Sequence, residues 1–212
     1  MVLSTWMRRL QGLREIKFND GRVLFHNVPM MVFPVYTVAL LSKLMQRVPK
    51  GPSALYFMGY QQGLKCAGIT RDFFGYKRKV LETLLQHSDM VGTGRVKLVR
   101  EDFEHKHFIF RFEVSPIAEE IARYYGQQKE AMDHYERGVV AGFIKLVHEG
   151  KEEFVAIETR CMAKGDQYCE IVVKEKSAWD RKDPVVKQQW PEEIASLKEL
   201  GETPTKVFLM LR

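Results

Sequence analysis

The sequence predicts an α+β fold: a single domain in which an antiparallel sheet is covered by helices, followed by a C-terminal extension. Two observations carry this expectation. His107–Val114 alternates without a break, with Phe108, Phe110, Phe112 and Val114 on one side and His107, Ile109, Arg111 and Glu113 on the other, which is the period of a strand with an aromatic face. Other segments repeat apolar residues at helical spacing instead.

Composition sets the outer bounds. A chain of 212 residues has room for one well-buried domain plus an accessory segment. Its 45% hydrophobic and 28% charged residues describe a globular chain rather than a disordered one. A formal charge of +6 and a pI near 9.2 permit an anionic partner without requiring one. The short basic run at Lys77 and Lys79 opens a helix and reads as a solvated face. With no convincing helix-turn-helix, Walker loop or dinucleotide fingerprint, direct nucleic-acid contact is not expected. The chain has 3 cysteines and reads as lacking a secretory signal or a membrane-length apolar stretch, so a reducing cytoplasm with free or metal-bound thiols is the expected setting.

Residues 4–12 suit a short helix with Trp6 and Leu10 on one side. Residues 14–18 and 22–25 flank Asn19-Asp20-Gly21, a turn signal that makes them a hairpin. Residues 28–35 (VPMMVFPV) are apolar but short and twice interrupted by proline, which favours a core-crossing segment or a dimer contact over a membrane one. Val35, Val38, Leu41, Leu44 and Met45 mark a helix that stops before Pro49. Residues 54–67 and 129–148 predict two further helices, each with glycines four positions apart: Gly59 and Gly63, Gly138 and Gly142. Glycine costs a helix roughly 1 kcal/mol relative to alanine, so such pairs point to close helix-on-helix contact. Gln61, Gln62, Lys65, Arg137 and Lys145 exclude a membrane version of that motif. Cys66 reads as a small buried hydrophobe.

Residues 76–90 form another amphipathic helix, with His87 on its inner side. Residues 95–100 pair with His107–Val114 across a polar turn, and Ser115-Pro116 opens a helix to about residue 125. Beyond residue 176, Pro191 opens a helix to residue 200, and residues 205–211 form a last strand or docking segment. The row Phe108, Phe110 and Phe112, with His87, is the candidate ligand site, since apolar pockets are lined by such side chains with few polar groups; a sheet face packed on helices is the alternative. On the pocket reading, alanine at Phe110 or Phe112 should alter uptake of aromatic or isoprenoid probes and change the fold little.

The most specific stretch is residues 158–169, ETRCMAKGDQYC. A hairpin turning at Gly165-Asp166 can bring Glu158, Cys161 and Cys169 to one zinc ion, which takes thiolates and carboxylate oxygen in tetrahedral sites. Parity opposes this, because Glu158 and Cys161 would face opposite sides of an ideal strand. The strand must therefore end or bulge near Thr159 and Arg160. Two hairpin cysteines, free or disulfide-bonded, are the alternative.

These residues also carry a family resemblance. Glu-x-x-Cys, seven residues around a Gly-Asp, then Cys169 and the alternating strand EIVVK resemble the C-terminal hairpin of the 4-vinyl reductase domain. That family includes the sensor domains of phenol- and xylene-responsive bacterial activators and many archaeal stand-alone proteins. LYFMGYQQG at residues 55–63 and GVVAGF at residues 138–143 are similar to its glycine-bearing helices, so the likeness spans roughly residues 20–175. It implies a ligand-binding domain over residues 1–176, in which residues 1–50 supply the hairpin, a helix and a candidate dimer contact, and an extension over residues 177–212. It also implies a homodimer and a structural zinc. The family's phenol-sensor branch has a further cysteine ligand five residues before the first glycine of the second helix. Here that position is Asp133, with His134 beside it. Histidine is the better zinc ligand and is favoured, while aspartate keeps the register. The implied function is a sensor of an apolar or aromatic small molecule. A reductase acting on a hydrophobic substrate, for which no cofactor motif is visible, and an assembly module similar to vesicle-tethering subunits remain alternatives.

Overall fold

The computed structural model describes residues 16–19, 22–25, 28–30, 33–74, 80–82, 85–86, 88 and 92–192. His87, the expected helix over residues 4–12 and the expected elements over residues 193–211 lie outside them. The chain divides into two units, residues 1–34 and 35–212.

The first unit contains β1 (Ile16–Asn19), β2 (Arg22–Phe25) and β3 (Val28–Met30). β1 and β2 pair antiparallel in the register the Asn-Asp-Gly turn predicts, Asn19 opposite Arg22. β3 adds to β2, so the front of the VPMMVFPV segment is a strand.

The second unit runs α1 (Val35–Met45), α2 (Gly51–Phe74), β4 (Arg95–Asp102), β5 (His107–Val114), α3 (Pro116–Tyr125), α4 (His134–Val147), β6 (Phe154–Arg160), β7 (Cys169–Glu175) and α5 (Pro184–Gln189). Its sheet is antiparallel, in the order β4-β5-β7-β6. Ser115 caps α3 by accepting from the Ala118 N–H at 3.4 Å. α4 begins at His134 rather than near residue 129, because the stretch before it lies along the hairpin turn, where Gln128 donates its N–H to the Ala163 carbonyl at 2.7 Å.

The aromatic row of β5 lies in the core. Phe108, Phe110 and Phe112 are 0%, 0% and 1% exposed and stand opposite Val173, Ile171 and Cys169 of β7. Burial that complete corrects the expectation that alanine at Phe110 or Phe112 would leave the fold largely unchanged, since emptying such a site costs about 3–5 kcal/mol. The other face of β6 is covered by the C-terminal segment. Val155 and Ile157 pack with Val186, Trp179 and Trp190.

α2 and α4 meet backbone to backbone. A Cβ built on Gly59 would fall 2.0 Å from the Tyr135 carbonyl oxygen, and one on Gly63 would fall 2.0 Å from that of Val139. The contact is reciprocal, for Gly138 and Gly142 meet the Tyr56 and Tyr60 carbonyls at 2.0 and 2.1 Å. The test is Gly63→Ala. Alanine favours an isolated helix by about 1 kcal/mol, but forcing the helices apart costs about 1–3 kcal/mol or more. A lowered urea midpoint is therefore expected, and a raised one would contradict the packing.

Candidate metal centre

The hairpin β6–β7 solves the parity problem as the ligand spacing requires. Glu158 stands opposite Ile171 while Arg160 stands opposite Glu170, so Thr159 is the extra residue of a bulge. After Arg160 the strand ends. Cys161 enters a short 3-10 turn, Met162–Lys164, closed by Gly165 in the left-handed region at φ 97°. Asp166 fixes that turn by accepting from the Cys161 N–H at 2.8 Å, and Cys169 Sγ accepts from the Met162 N–H at 3.2 Å. The result is convergence: a carboxylate oxygen of Glu158 and the two sulfurs of Cys161 and Cys169 lie within 4.8 Å of one another, all buried. Tetrahedral zinc–thiolate geometry separates sulfurs by about 3.8 Å, so little contraction is needed.

The two candidates for a fourth ligand face different neighbours. The Asp133 backbone N–H donates to Glu158 Oε2 at 3.2 Å, and Ser115 Oγ donates to Asp133 Oδ2 at 3.2 Å. Asp133 Oδ1 and Glu158 Oε1 are buried and without a hydrogen-bond partner among the described residues. His134 is engaged elsewhere, its Nδ1 accepting from Arg137 Nη2 at 2.8 Å.

Electrostatics describe a cluster short of positive charge. Burial, and then the charge of Glu158, pushes the Asp133 carboxyl up to about 8. Burial also holds Glu158 well above the usual carboxylate range, with the Cys161 sulfur adding to it. The Cys169 thiol donates to Cys161, which draws Cys161 down to about 7 and drives Cys169 upward. Burial and Arg137 keep His134 down at about 3, so its imidazole is neutral. Two thiols and two carboxyls with orphaned oxygens fit a divalent zinc ion, which supplies the missing charge.

Two supporting residues escaped the sequence reading. β6 is an edge strand, and its outward backbone groups are met by side chains instead of another strand. Tyr56 Oη accepts from the Ala156 N–H at 3.2 Å, and Arg137 Nη1 donates to the Ala156 carbonyl at 3.1 Å and the Gln189 carbonyl at 2.9 Å. Gln189 takes both backbone groups of Glu158, accepting its N–H and donating to its carbonyl, each at 2.8 Å. A charged residue inside the otherwise apolar and glycine stretch of α4 was the available signal for Arg137. Nothing in the sequence marked Gln189.

The expected ligand row is placed near this centre, with Phe112 opposite Cys169. Phe108 packs edge-on against Phe103 and His148, at ring separations of 5.2 and 5.6 Å. An open groove of about 400 Å³ bounded by Glu153, Glu175, Lys176, Ser177, Arg181 and Trp190 shares none of the expected ligand residues.

The family model of the 4-vinyl reductase domain matches residues 114–175, the stretch from the end of β5 through β7 that carries every candidate metal ligand. This segment is a 4-vinyl reductase domain. The phenol-responsive sensory domain of the transcription activator PoxR, solved with phenol, has the same fold, with a TM-score of 0.73 at 16% identity over 90% of this chain and 100% of that one. A vinyl-4-reductase family protein of Methanocaldococcus jannaschii scores 0.46 at 15% identity, over 69% of this chain and 83% of that one. A trafficking protein particle complex subunit 3 of Naegleria fowleri, covalently bound to palmitic acid, also scores 0.46 at 16% identity, over 67% of this chain and 95% of that one. No curated protein matches the chain in sequence. Among the described residues, no helix is long and apolar enough to cross a membrane.

The clamp on Glu158 predicts the behaviour of Gln189→Ala. It strips the partners from a buried backbone N–H and carbonyl, so a loss of about 1–3 kcal/mol is expected in denaturant titration. A variant of unchanged stability would show that the clamp contributes nothing.

Proposed function

We propose that this chain is a regulatory domain that senses a small apolar or aromatic molecule and whose β6–β7 hairpin is locked by a structural zinc ion. The convergence of Glu158, Cys161 and Cys169 across a bulge carries the metal half of this reading. The fold it shares with a phenol-responsive sensory domain supports the sensing half. Asp133 is the fourth ligand in this proposal, in preference to His134, because its orphaned Oδ1 and its coupling to Glu158 lie on the side of the sulfurs while the His134 Nδ1 is held by Arg137. Four protein ligands close the coordination sphere and leave no position for an activated water, so the ion supplies rigidity rather than chemistry. The domain works in the cytoplasm as a homodimer, and a separate protein reads its ligand state.

Metal analysis of protein purified without chelators should find one zinc per chain. Cys161→Ser and Cys169→Ser should each lose it and melt roughly 5–10 °C lower, the shift produced by about 2–3 kcal/mol in a chain of this size. Asp133→Ala should weaken zinc binding and His134→Ala should not, whereas Cys66→Ser should leave metal content unchanged. Absence of metal in the wild type removes the zinc reading.

The pH response separates the two forms. In the metal-free chain the folded pKa of Asp133 is about 8, above its ordinary 3.8, so its contribution to stability is present below about 4 and lost as pH rises through about 8. Zinc binds the deprotonated ligands, so the loaded chain should gain stability over the same interval. Thermal melts at pH 5 and pH 8 should show opposite slopes with and without a chelator, and parallel slopes would count against the cluster.

A further inference from the structure

Asp133 and Glu136 have the D-x-x-E spacing of a capping box, in which the glutamate reaches back to the backbone N–H of the cap residue. Here that N–H is donated to Glu158 Oε2. Glu136 is thereby displaced from its ordinary partner. Its side chain is in the interior, 4% exposed, and its Oε1 has no hydrogen-bond partner among the described residues. At helical spacing it shares a face of α4 with Val140, Phe143 and Val147, all members of the main core. The acidic groups it feels are those of Asp133 and of the Cys66 thiol on α2, while the guanidinium of Arg137 is turned to β6 and Gln189. Buried polar atoms are nearly always satisfied, and an acceptor left over among apolar side chains and acids is complementary to a donor.

We propose that Glu136 is the polar anchor of the ligand site, its Oε1 accepting a hydrogen bond from a small, largely apolar molecule that carries one O–H or N–H group. This rests on the sensing role above and adds the chemistry that is selected. A molecule of the same shape without a donor leaves the oxygen orphaned, and sites built around a buried polar group discriminate strongly on that ground. A trapped water is the competing occupant.

The full chain as purified is titrated with phenol, aniline and toluene, which are alike in size, alongside Glu136→Leu and Glu136→Gln. The wild type should bind phenol and aniline about tenfold or more tighter than toluene. Glu136→Leu should bind all three alike, and Glu136→Gln, which keeps an acceptor oxygen, should retain the preference. Equal binding by the wild type, or a folded Glu136→Leu that keeps the preference, overturns the anchor and leaves the sensing role standing. Binding of none of the three by the wild type removes both. Should Glu136→Leu fail to fold, the carboxyl carbon-13 resonance of Glu136 in the wild type decides: it must shift with phenol and not with toluene, and an equal response overturns the proposal, as expected where a water holds the oxygen throughout.

Discussion

The backbone contact between α2 and α4 sets the position of every polar group at the hairpin. Paired glycines on both helices let each run against the other's carbonyls, so α4 lies wedged between α2 and the sheet and is buried on nearly every side. A helix placed that way cannot turn its polar residues to water. His134, Glu136 and Arg137 are consequently interior groups, with Asp133 buried at the cap, and each must be met by a neighbour or by a bound species. Tyr56 belongs to the same arrangement: it stands on α2 next to the contact, reaches the Ala156 N–H of β6, and is pushed up to about 12 by burial. Helix contact, edge strand and acidic cluster are in this sense one structure.

Charge balance explains why that structure calls for a cation. Arg137 is fully enclosed, yet its hydrogen bonds go to two carbonyls and a neutral imidazole. Its positive charge is offset at longer range by Glu158 and Asp133, which counter the downward push of burial. One guanidinium cannot balance two carboxylates and two thiolates, so the metal-free cluster keeps its protons. A divalent ion changes that, and with Arg137 behind the carboxylates the site approaches neutrality without exposing any of them.

How much of this was legible differs from element to element. Strict alternation exposed β5, since period two admits few other readings, and ligand parity exposed the bulge at Thr159 before any register was known. The glycine pairs gave the helix contact because their cost in an isolated helix demanded a compensating gain. Gln189 was invisible for the opposite reason. Its role comes from a tertiary match between one amide side chain and one backbone position 31 residues away, and no local pattern encodes such a match. The aromatic row was legible as a face but not as a filled one, because periodicity reports which side is apolar and is silent on what fills the space against it.

That filled face has a mechanical consequence. Phe112 stands opposite Cys169 in the β5–β7 ladder, two positions from Phe110 and four from Phe108, so the row ends at a candidate metal ligand. A close-packed interior transmits displacement instead of absorbing it. A molecule that enters among these side chains has to move them, and the strand carrying Cys169 is the neighbour against which they move. Held only by thiols and protonated carboxyls, the hairpin could yield locally and the displacement would end there. Pinned by an ion through Glu158, Cys161, Cys169 and Asp133, the hairpin moves as a unit with the first turn of α4 and with the Gln189 clamp, which carries the response of the core to the C-terminal segment at the surface.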